Sequence, residues 1–296
     1  MNKNMTSRTL NRREMLKQSA ACLALGLSTT FRAARALDTQ ARHLKIGAVD
    51  WELTKANDPE ALAVAAKLGF DGLQVDLGNV EPMKNPDRQQ KYKALAREHK
   101  IEIASLALGA LSNSAYGQDP KGQVLVDSAI DVAKAMNQKI ILLAFFGAND
   151  LAKKENNTDS LVGRLKENAP KAEKAGVILG VEGETSVEHY KEIIDRVNSP
   201  AVKVYFDCVH AHGTGRDIYK EITFLGDRIC EFHAKDYGNI LFGHGNLDWK
   251  EVRRGMDAIG YRGWMQVEQW GEIKGDKPLG FDETHRRNLR YLREIF

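Results

Sequence analysis

From residue 43 to the C-terminus the chain repeats one pattern eight times: a short run of β-branched and aliphatic residues, then a longer stretch whose apolar positions recur at helical spacing. Such alternation defines βα units. Candidate strands span residues 44–49, 72–77, 101–107, 139–146, 177–182, 202–207, 229–234 and 264–268. The punctuation between them agrees. Asp58-Pro59 and Asp119-Pro120 each set a side-chain acceptor before a proline at a first helical position, and Thr185 with Glu188 and Asp248 with Glu251 have capping-box spacing. Gly69, Gly176 and Gly260 stand where a helix must end in a left-handed residue before the next strand. Eight parallel strands and eight helices in about 250 residues match an α/β chain folded as one domain, a (β/α)8 TIM barrel. An open doubly wound sheet is the competing topology. It calls for a glycine-rich phosphate loop after the first strand, and here Val49 is followed by Asp50-Trp51-Glu52-Leu53.

The first 36 residues stand outside this pattern. Asn11-Arg12-Arg13-Glu14-Met15-Leu16-Lys17 precedes an apolar stretch from Ala20 to Phe31 and then Ala34-Arg35-Ala36, the order of a basic region, an apolar region and a cleavage site. The adjacent arginines resemble a twin-arginine export signal, a receptor-read address. The expected organisation is therefore a signal peptide over 1–36 and a barrel over 37–296. The export machinery would be the partner of the leader, and the mature protein would be periplasmic or otherwise extracytoplasmic. Twin-arginine export carries folded proteins, which fits a metal acquired before export. The apolar run is too short for a stable membrane span, which needs roughly 20 residues.

The leader also decides how the charge is read. The formal +3 of the whole chain comes from 43 Lys and Arg against 40 Asp and Glu. Residues 1–36 contain seven of the bases and one of the acids, so the remainder has 36 and 39, a formal −3. A slightly acidic body offers no broad footprint for a phosphate backbone, and nucleic acid is not an expected partner. Of three cysteines, Cys22 lies in the leader, while Cys208 and Cys230 sit in apolar strand-like runs where buried free thiols are expected.

In a barrel of this kind the chemistry sits at the carboxyl ends of the strands, so a polar residue closing an apolar strand is informative. The last four candidate strands each have one: Glu182, Asp207, His233 (followed by Lys235-Asp236) and Glu268, separated by 25, 26 and 35 residues. About one βα unit separates each pair, so the four side chains fall on successive strands and can converge on one rim. Three converging carboxylates repel one another unless a cation or several donors offset them. The oxygen-rich set with one nitrogen suits a single divalent ion, Mn²⁺ or Mg²⁺ first, with Co²⁺, Fe²⁺ and Zn²⁺ open. Helix caps, rim salt bridges and a ligand bound without metal remain alternatives at this point.

Val181-Glu182-Gly183, Phe206-Asp207-Cys208-Val209-His210-Ala211, His233-Ala234-Lys235-Asp236 and Val267-Glu268 resemble the sugar phosphate isomerase/epimerase family, the xylose isomerase-like TIM barrels. The resemblance implies that Glu182, Asp207, His233 and Glu268 hold the ion, and that Glu182 and Glu268 form the acid/base pair that moves a proton through an enediolate of a carbohydrate substrate. It also implies that His210, in the pattern Asp-x-x-His, contacts a substrate hydroxyl. Glu188 would occupy the place of a substrate-binding carboxylate, although the capping box explains it equally well. Lys235 shares a strand face with His233 and is expected to point into the site. Trp51, Trp270, Tyr237 and Phe145 are candidates for an apolar wall against the sugar. His244 lies in a glycine-rich loop that is expected to reach the site, and Glu231, two residues below His233, is expected to make a supporting hydrogen bond.

Three competing functions can be weighed. Endonuclease IV shares the fold but needs histidines on the early strands, where this chain has Gln74, Asp76 and Ser105. A metal-dependent lyase or dehydratase would use the same enediolate. A non-catalytic exported sugar-binding protein would not need two glutamates placed as bases. Export favours a free sugar or a keto-sugar derivative over a sugar phosphate.

Overall fold

Alternate residues of each strand face the helices, and this alternation builds the main core. Ile141, Leu143 and Phe145, for example, join Leu179 and Val181 of the next strand in one continuous buried cluster with the helices. In a computed structural model describing residues 44–151, 158–209, 217–236, 238, 240–269 and 279–296, eight strands pair in parallel and close into a barrel in chain order. They are β1 (Lys45–Val49), β2 (Gly72–Asp76), β3 (Glu102–Leu108), β4 (Ile140–Phe145), β5 (Ile178–Gly183), β6 (Val202–Asp207), β7 (Ile229–Ala234) and β8 (Trp264–Val267). Closure is made by β1, which pairs with β2 on one side and β8 on the other. Each strand leads to a helix: α1 (Ala61–Leu68), α2 (Pro86–Glu98), α3 (Pro120–Met136), α4 (Thr158–Ala175), α5 (Val187–Val197), α6 (Ile218–Leu225), α7 (Trp249–Ala258) and α8 (Phe281–Ile295). A single helical turn, Asp50–Leu53, follows β1 directly.

The local signals act largely as their chemistry requires. Asp119 accepts from the Lys121 amide ahead of Pro120, and Asp248 accepts from the amides of Lys250 and Glu251. Gly69, Gly176 and Gly260 all take positive φ. At Asp58-Pro59 the chain first makes a tight turn, with Ala61 N–H bonded to the Asp58 carbonyl and Leu62 N–H to that of Pro59, so α1 begins later than the proline predicts. The capping box expected from Thr185 and Glu188 is shifted by one residue. Ser186 is the cap, accepting from the His189 amide, while the Thr185 hydroxyl turns to His189 Nδ1 at 2.7 Å. Either hydroxyl can serve, and the imidazole captures the first.

Two register shifts shape the barrel interior. Against β6, the pairing of β7 steps from Ile229 to Glu231, leaving Cys230 as the extra residue, and against β2, the pairing of β3 steps from Ile103 to Ser105. Such bulges re-aim side chains and are common beside active sites. Cys230 packs against Tyr205 inside the barrel, and Glu231 bonds the Tyr205 hydroxyl there as well. Cys208 and Cys230 are buried free thiols. Among the described residues, no helix is long and apolar enough to cross a membrane.

Candidate active site

The carboxyl ends of β5 to β8 bring Glu182, Asp207, His233 and Glu268 together, with one ligand atom of each within 4.8 Å of every other. Glu182, Asp207 and His233 are buried, and Glu268 nearly so. His233 Nδ1 lies 2.7 Å from Glu182 Oε1 and 3.4 Å from Glu268 Oε2. That nitrogen faces two carboxylates, so the space between them is a place for a positive charge, either a proton or a metal ion. Burial alone would lower the basicity of His233, but Glu182 and Glu268 outweigh it and raise its pKa to about 9. Burial raises the Glu268 carboxyl, against the opposing pull of His233 and Lys235. A cation replacing the proton on Nδ1 would satisfy the same carboxylates, so the donor set fits a divalent ion.

Glu268 is held from outside this group by two further residues. Trp51, from the turn after β1, donates its indole N–H to Oε1 at 3.2 Å, and Lys235 Nζ lies 3.1 Å from Oε2. Burial works against the Lys235 charge, but Glu268 and Asp207 hold the ammonium well above its ordinary range. Trp51 also presents an edge to His233, with ring centroids 6.1 Å apart. The expectation of an apolar wall at Trp51 thus understates it, because its polar edge is engaged with a carboxylate. Next to it, Glu52 is an acid that the sequence reading did not single out. Burial, reinforced by Glu268, pushes its carboxyl up to about 8.

Directly beneath the four residues the barrel is filled by a polar layer where branched aliphatic side chains usually dominate. Gln74, Ser105, Glu231 and Gln266 are fully buried, as is Tyr205. Glu231 Oε1 accepts from Ser105 Oγ at 2.8 Å, Tyr205 OH at 3.1 Å and Gln266 Nε2 at 2.6 Å. Burial raises the Glu231 carboxyl to about 7, with those donors opposing the rise. Gly47 makes room for this layer, since a Cβ there would sit 2.0 Å from Gln266 Oε1. Ser105 and Tyr205, which donate to Glu231, accept in turn from Gln74 Nε2, and the Gln74 carbonyl bonds His233 Nε2 at 2.8 Å, so Glu231 reaches His233 through two intermediaries.

The remaining candidates are placed differently. Glu188 is exposed in the first turn of α5. His244 is exposed and lines a surface groove with Arg287, Arg290 and Tyr291 of α8, a setting outside the four-residue group. Phe145 faces outward from β4 and packs edge-on against Tyr116, with centroids 5.6 Å apart, so it is part of the strand–helix core. His210, Tyr237 and Trp270, like the leader at 1–36, lie outside the described residues.

Fold and site together define a class: a single-domain (β/α)8 barrel with a carboxylate–histidine group suited to a cation on its carboxyl rim. Within that class the chain belongs to the xylose isomerase-like TIM barrel family, whose model matches residues 62–295. It is similar to the putative L-ribulose-5-phosphate 3-epimerase SgbU of Escherichia coli (strain K12), with 22% identity over 247 residues, 75% of this chain and 86% of the relative. Among solved structures it resembles D-allulose 3-epimerase from Methylomonas sp. in complex with D-allulose, with a TM-score of 0.69 and 22% identity over 86% of this chain and 97% of that one. It also resembles the 3-keto-D-glucoside 4-epimerase YcjR of E. coli, with a TM-score of 0.69 and 16% identity over 85% of this chain and 99% of that one.

Proposed function

We propose that this protein is a divalent-metal-dependent sugar epimerase or isomerase that acts on a free sugar or keto-sugar derivative by removing and returning a proton next to a carbonyl. The observation that carries this reading is the convergence of Glu182, Asp207, His233 and Glu268 within 4.8 Å. The relatives named above support it: a ketose epimerase, a putative ketose-phosphate epimerase and a keto-glucoside epimerase. All three names describe substrates in which a hydroxyl-bearing carbon neighbours a carbonyl.

Glu182, Asp207, His233 and Glu268 would hold the ion, which when bound supplies Lewis-acid polarisation of the substrate carbonyl. The two glutamates then divide the proton transfer: one carboxylate takes the proton from the carbon and the other returns it, so the sugar keeps its composition while the configuration changes. Positioned acid–base groups contribute about 10²- to 10⁴-fold. Lys235, beside Glu268 at 3.1 Å, adds a fixed positive charge where an oxyanion would develop. Trp51 restrains the Glu268 carboxylate from the other side. The twin-arginine motif supports export of the mature barrel, residues 37–296, after removal of 1–36.

The test is proton exchange. Metal-loaded protein in D₂O is given a panel of ketoses and 3-keto-glycosides and followed by NMR. The expected result is solvent deuterium at one carbon next to the carbonyl, with the mass of the sugar otherwise conserved. Loss of water or scission into two fragments would show a lyase, and no exchange by metal-bearing protein on any substrate would overturn the enolisation reading.

A further inference from the structure

The polar layer beneath the site has a direction, fixed by the hydrogen count of its members. A carboxyl oxygen that receives three bonds can only accept in them, whether or not the other oxygen carries a proton. Ser105 and Tyr205 each have one hydroxyl hydrogen, and each spends it on Glu231 Oε1, at 2.8 and 3.1 Å. Toward Gln74 both hydroxyls therefore offer only lone pairs. The Gln74 amide must face them with its NH₂ group, and it does, at 3.0 Å to Ser105 Oγ and 2.9 Å to Tyr205 OH. Its carbonyl oxygen is thereby turned to His233 Nε2 at 2.8 Å, where an acceptor requires that this nitrogen carry the hydrogen. In metal-free protein Nδ1, 2.7 Å from Glu182 Oε1, carries a second hydrogen; because the Gln74 carbonyl holds the one on Nε2, the lone pair freed when a cation displaces a proton lies on Nδ1, the atom facing Glu182 and Glu268.

We propose that Glu231 and Gln74 are positioning residues that, acting through Ser105 and Tyr205, fix His233 as the Nε2–H tautomer and so present Nδ1 to the cation. The proposal rests on the reading of His233 as a metal ligand. It also accounts for two otherwise costly features: five polar side chains buried inside a barrel, and a bulge at Cys230 that leaves Glu231 facing inward. Without an acceptor at Glu231, the hydroxyls of Ser105 and Tyr205 are free to donate to Gln74. Its amide then turns over, NH₂ meets Nε2, and the hydrogen moves to Nδ1, where it competes with the ion. Outer partners of metal-bound histidines commonly act in this way, at about 10- to 100-fold in affinity.

The experiment compares wild-type protein with Glu231→Met, Glu231→Gln and Gln74→Met. Two quantities are measured: the affinity for Mn²⁺ and Co²⁺ by calorimetry, and the hydrogens on the His233 ring nitrogens by long-range ¹H–¹⁵N NMR on metal-free protein and on protein titrated with diamagnetic Mg²⁺ or Zn²⁺. Wild type is expected to keep a hydrogen on Nε2 in both states and to lose the one on Nδ1 when metal binds. Glu231→Gln keeps an acceptor oxygen in the same place and is expected to keep both the tautomer and the affinity within about threefold. Glu231→Met and Gln74→Met are expected to lose the single tautomer and to bind either metal about 10- to 100-fold more weakly. Should Glu231→Met not fold, Gln74→Met carries the same prediction from the other end of the chain. An Nδ1–H tautomer in metal-loaded wild type, or unchanged tautomer and affinity in Gln74→Met, would overturn the proposal. Wild-type protein that binds neither metal would instead overturn the metal-ligand reading, and the Nε2 hydrogen, read on metal-free protein, separates the two failures.

Discussion

β5 to β8 and β1 to β4 fill the same barrel with different chemistry. The later four end in Glu182, Asp207, His233 and Glu268, which face one another within 4.8 Å, whereas the earlier four place Gln74, Ser105, Ala107, Leu142 and Ala144 toward the interior. Four adjacent strands bring their ends to one point without crossing the barrel, while one layer below, Gln74 of β2 does cross it to Tyr205 of β6 and His233 of β7. The earlier strands are thereby free to supply neutral groups that orient those ligands: Trp51 on Glu268 and Gln74 on His233. Ala144 is the partner of Glu182 across β4 and β5. The ligand group lies on the later half, and Trp51 and Gln74 of the earlier half, with Glu231 and Tyr205 behind Gln74, aim its members.

The largest effect should come from breaking the charged half. Glu268→Gln keeps the size of the side chain and the Trp51 contact but cannot take a proton, so turnover of an accepted substrate is expected to fall about 10²- to 10⁴-fold. Steady-state kinetics at saturating metal measures this. A loss confined to KM would place Glu268 in binding and leave the proton transfer to other groups.

The contrast between polar site and apolar shell is sharpest in two buried histidines. His233 sits among carboxylates, while His285 of α8 sits between the rings of Phe70 and Phe281, with centroids 6.2 and 4.5 Å away. Burial lowers the His285 pKa from 6.5 to about 4, with Asp282 opposing weakly. The folded state then binds fewer protons than the unfolded one. Its contribution to stability is present above pH 6.5 and lost as pH falls through 4, by at most about 3 kcal/mol. In denaturant titrations between pH 7 and 4, wild type should lose stability relative to His285→Leu as pH falls, since the variant has no imidazole to charge. Parallel curves would mean that His285 titrates normally.

For His233 the sign is reversed. Its raised pKa, about 9, makes metal-free protein more stable below pH 6.5 and less so as pH rises through 9. The ion and the proton compete for Nδ1, so metal affinity should rise by about tenfold per pH unit between 7 and 8.5. Calorimetry in buffers of different ionisation enthalpy would count the proton released. No proton release, with metal bound, would take His233 out of the ligand set.

These contrasts also explain what the sequence makes legible. A charged residue that ends an apolar strand, one βα unit from the next, is visible because composition changes abruptly at the position where the barrel puts its chemistry, as at Glu182 and Asp207. Strand limits are visible for the same reason: the expected 202–207 and 229–234 are the observed β6 and β7. The Gln74–Ser105–Tyr205–Gln266 layer is not visible, because neutral polar residues inside strands read equally well as outward-facing, and their alignment depends on bulges at Ala104 and Cys230 that no local pattern announces. Glu52 is hidden in the same way. Its carboxyl is unusual because the fold buries it and sets Glu268, more than two hundred residues later, beside it. His244 is the opposite case, a histidine in a glycine-rich loop that looks like a site residue and in the fold lines a groove against α8.

The smallest expected effect probes the restraint that the neutral half places on the charged one. Trp51→Phe keeps an aromatic ring near His233 and removes only the indole N–H donated to Glu268 Oε1 at 3.2 Å. A hydrogen bond to a charged acceptor is worth about 1.5 to 3 kcal/mol when buried, and the partial exposure of Trp51 reduces that to about 1 kcal/mol. Glu268 would keep Lys235 on its other oxygen, so it should remain in the site but sample more orientations. The expected outcome is a fall in kcat of about threefold to tenfold with KM and metal affinity nearly unchanged, because the lost contact orients a base and does not bind substrate or ion. A change in metal affinity alone would mean that Trp51 supports the ligand geometry, and the division of labour between the two halves would then apply to metal binding, leaving proton transfer out of it.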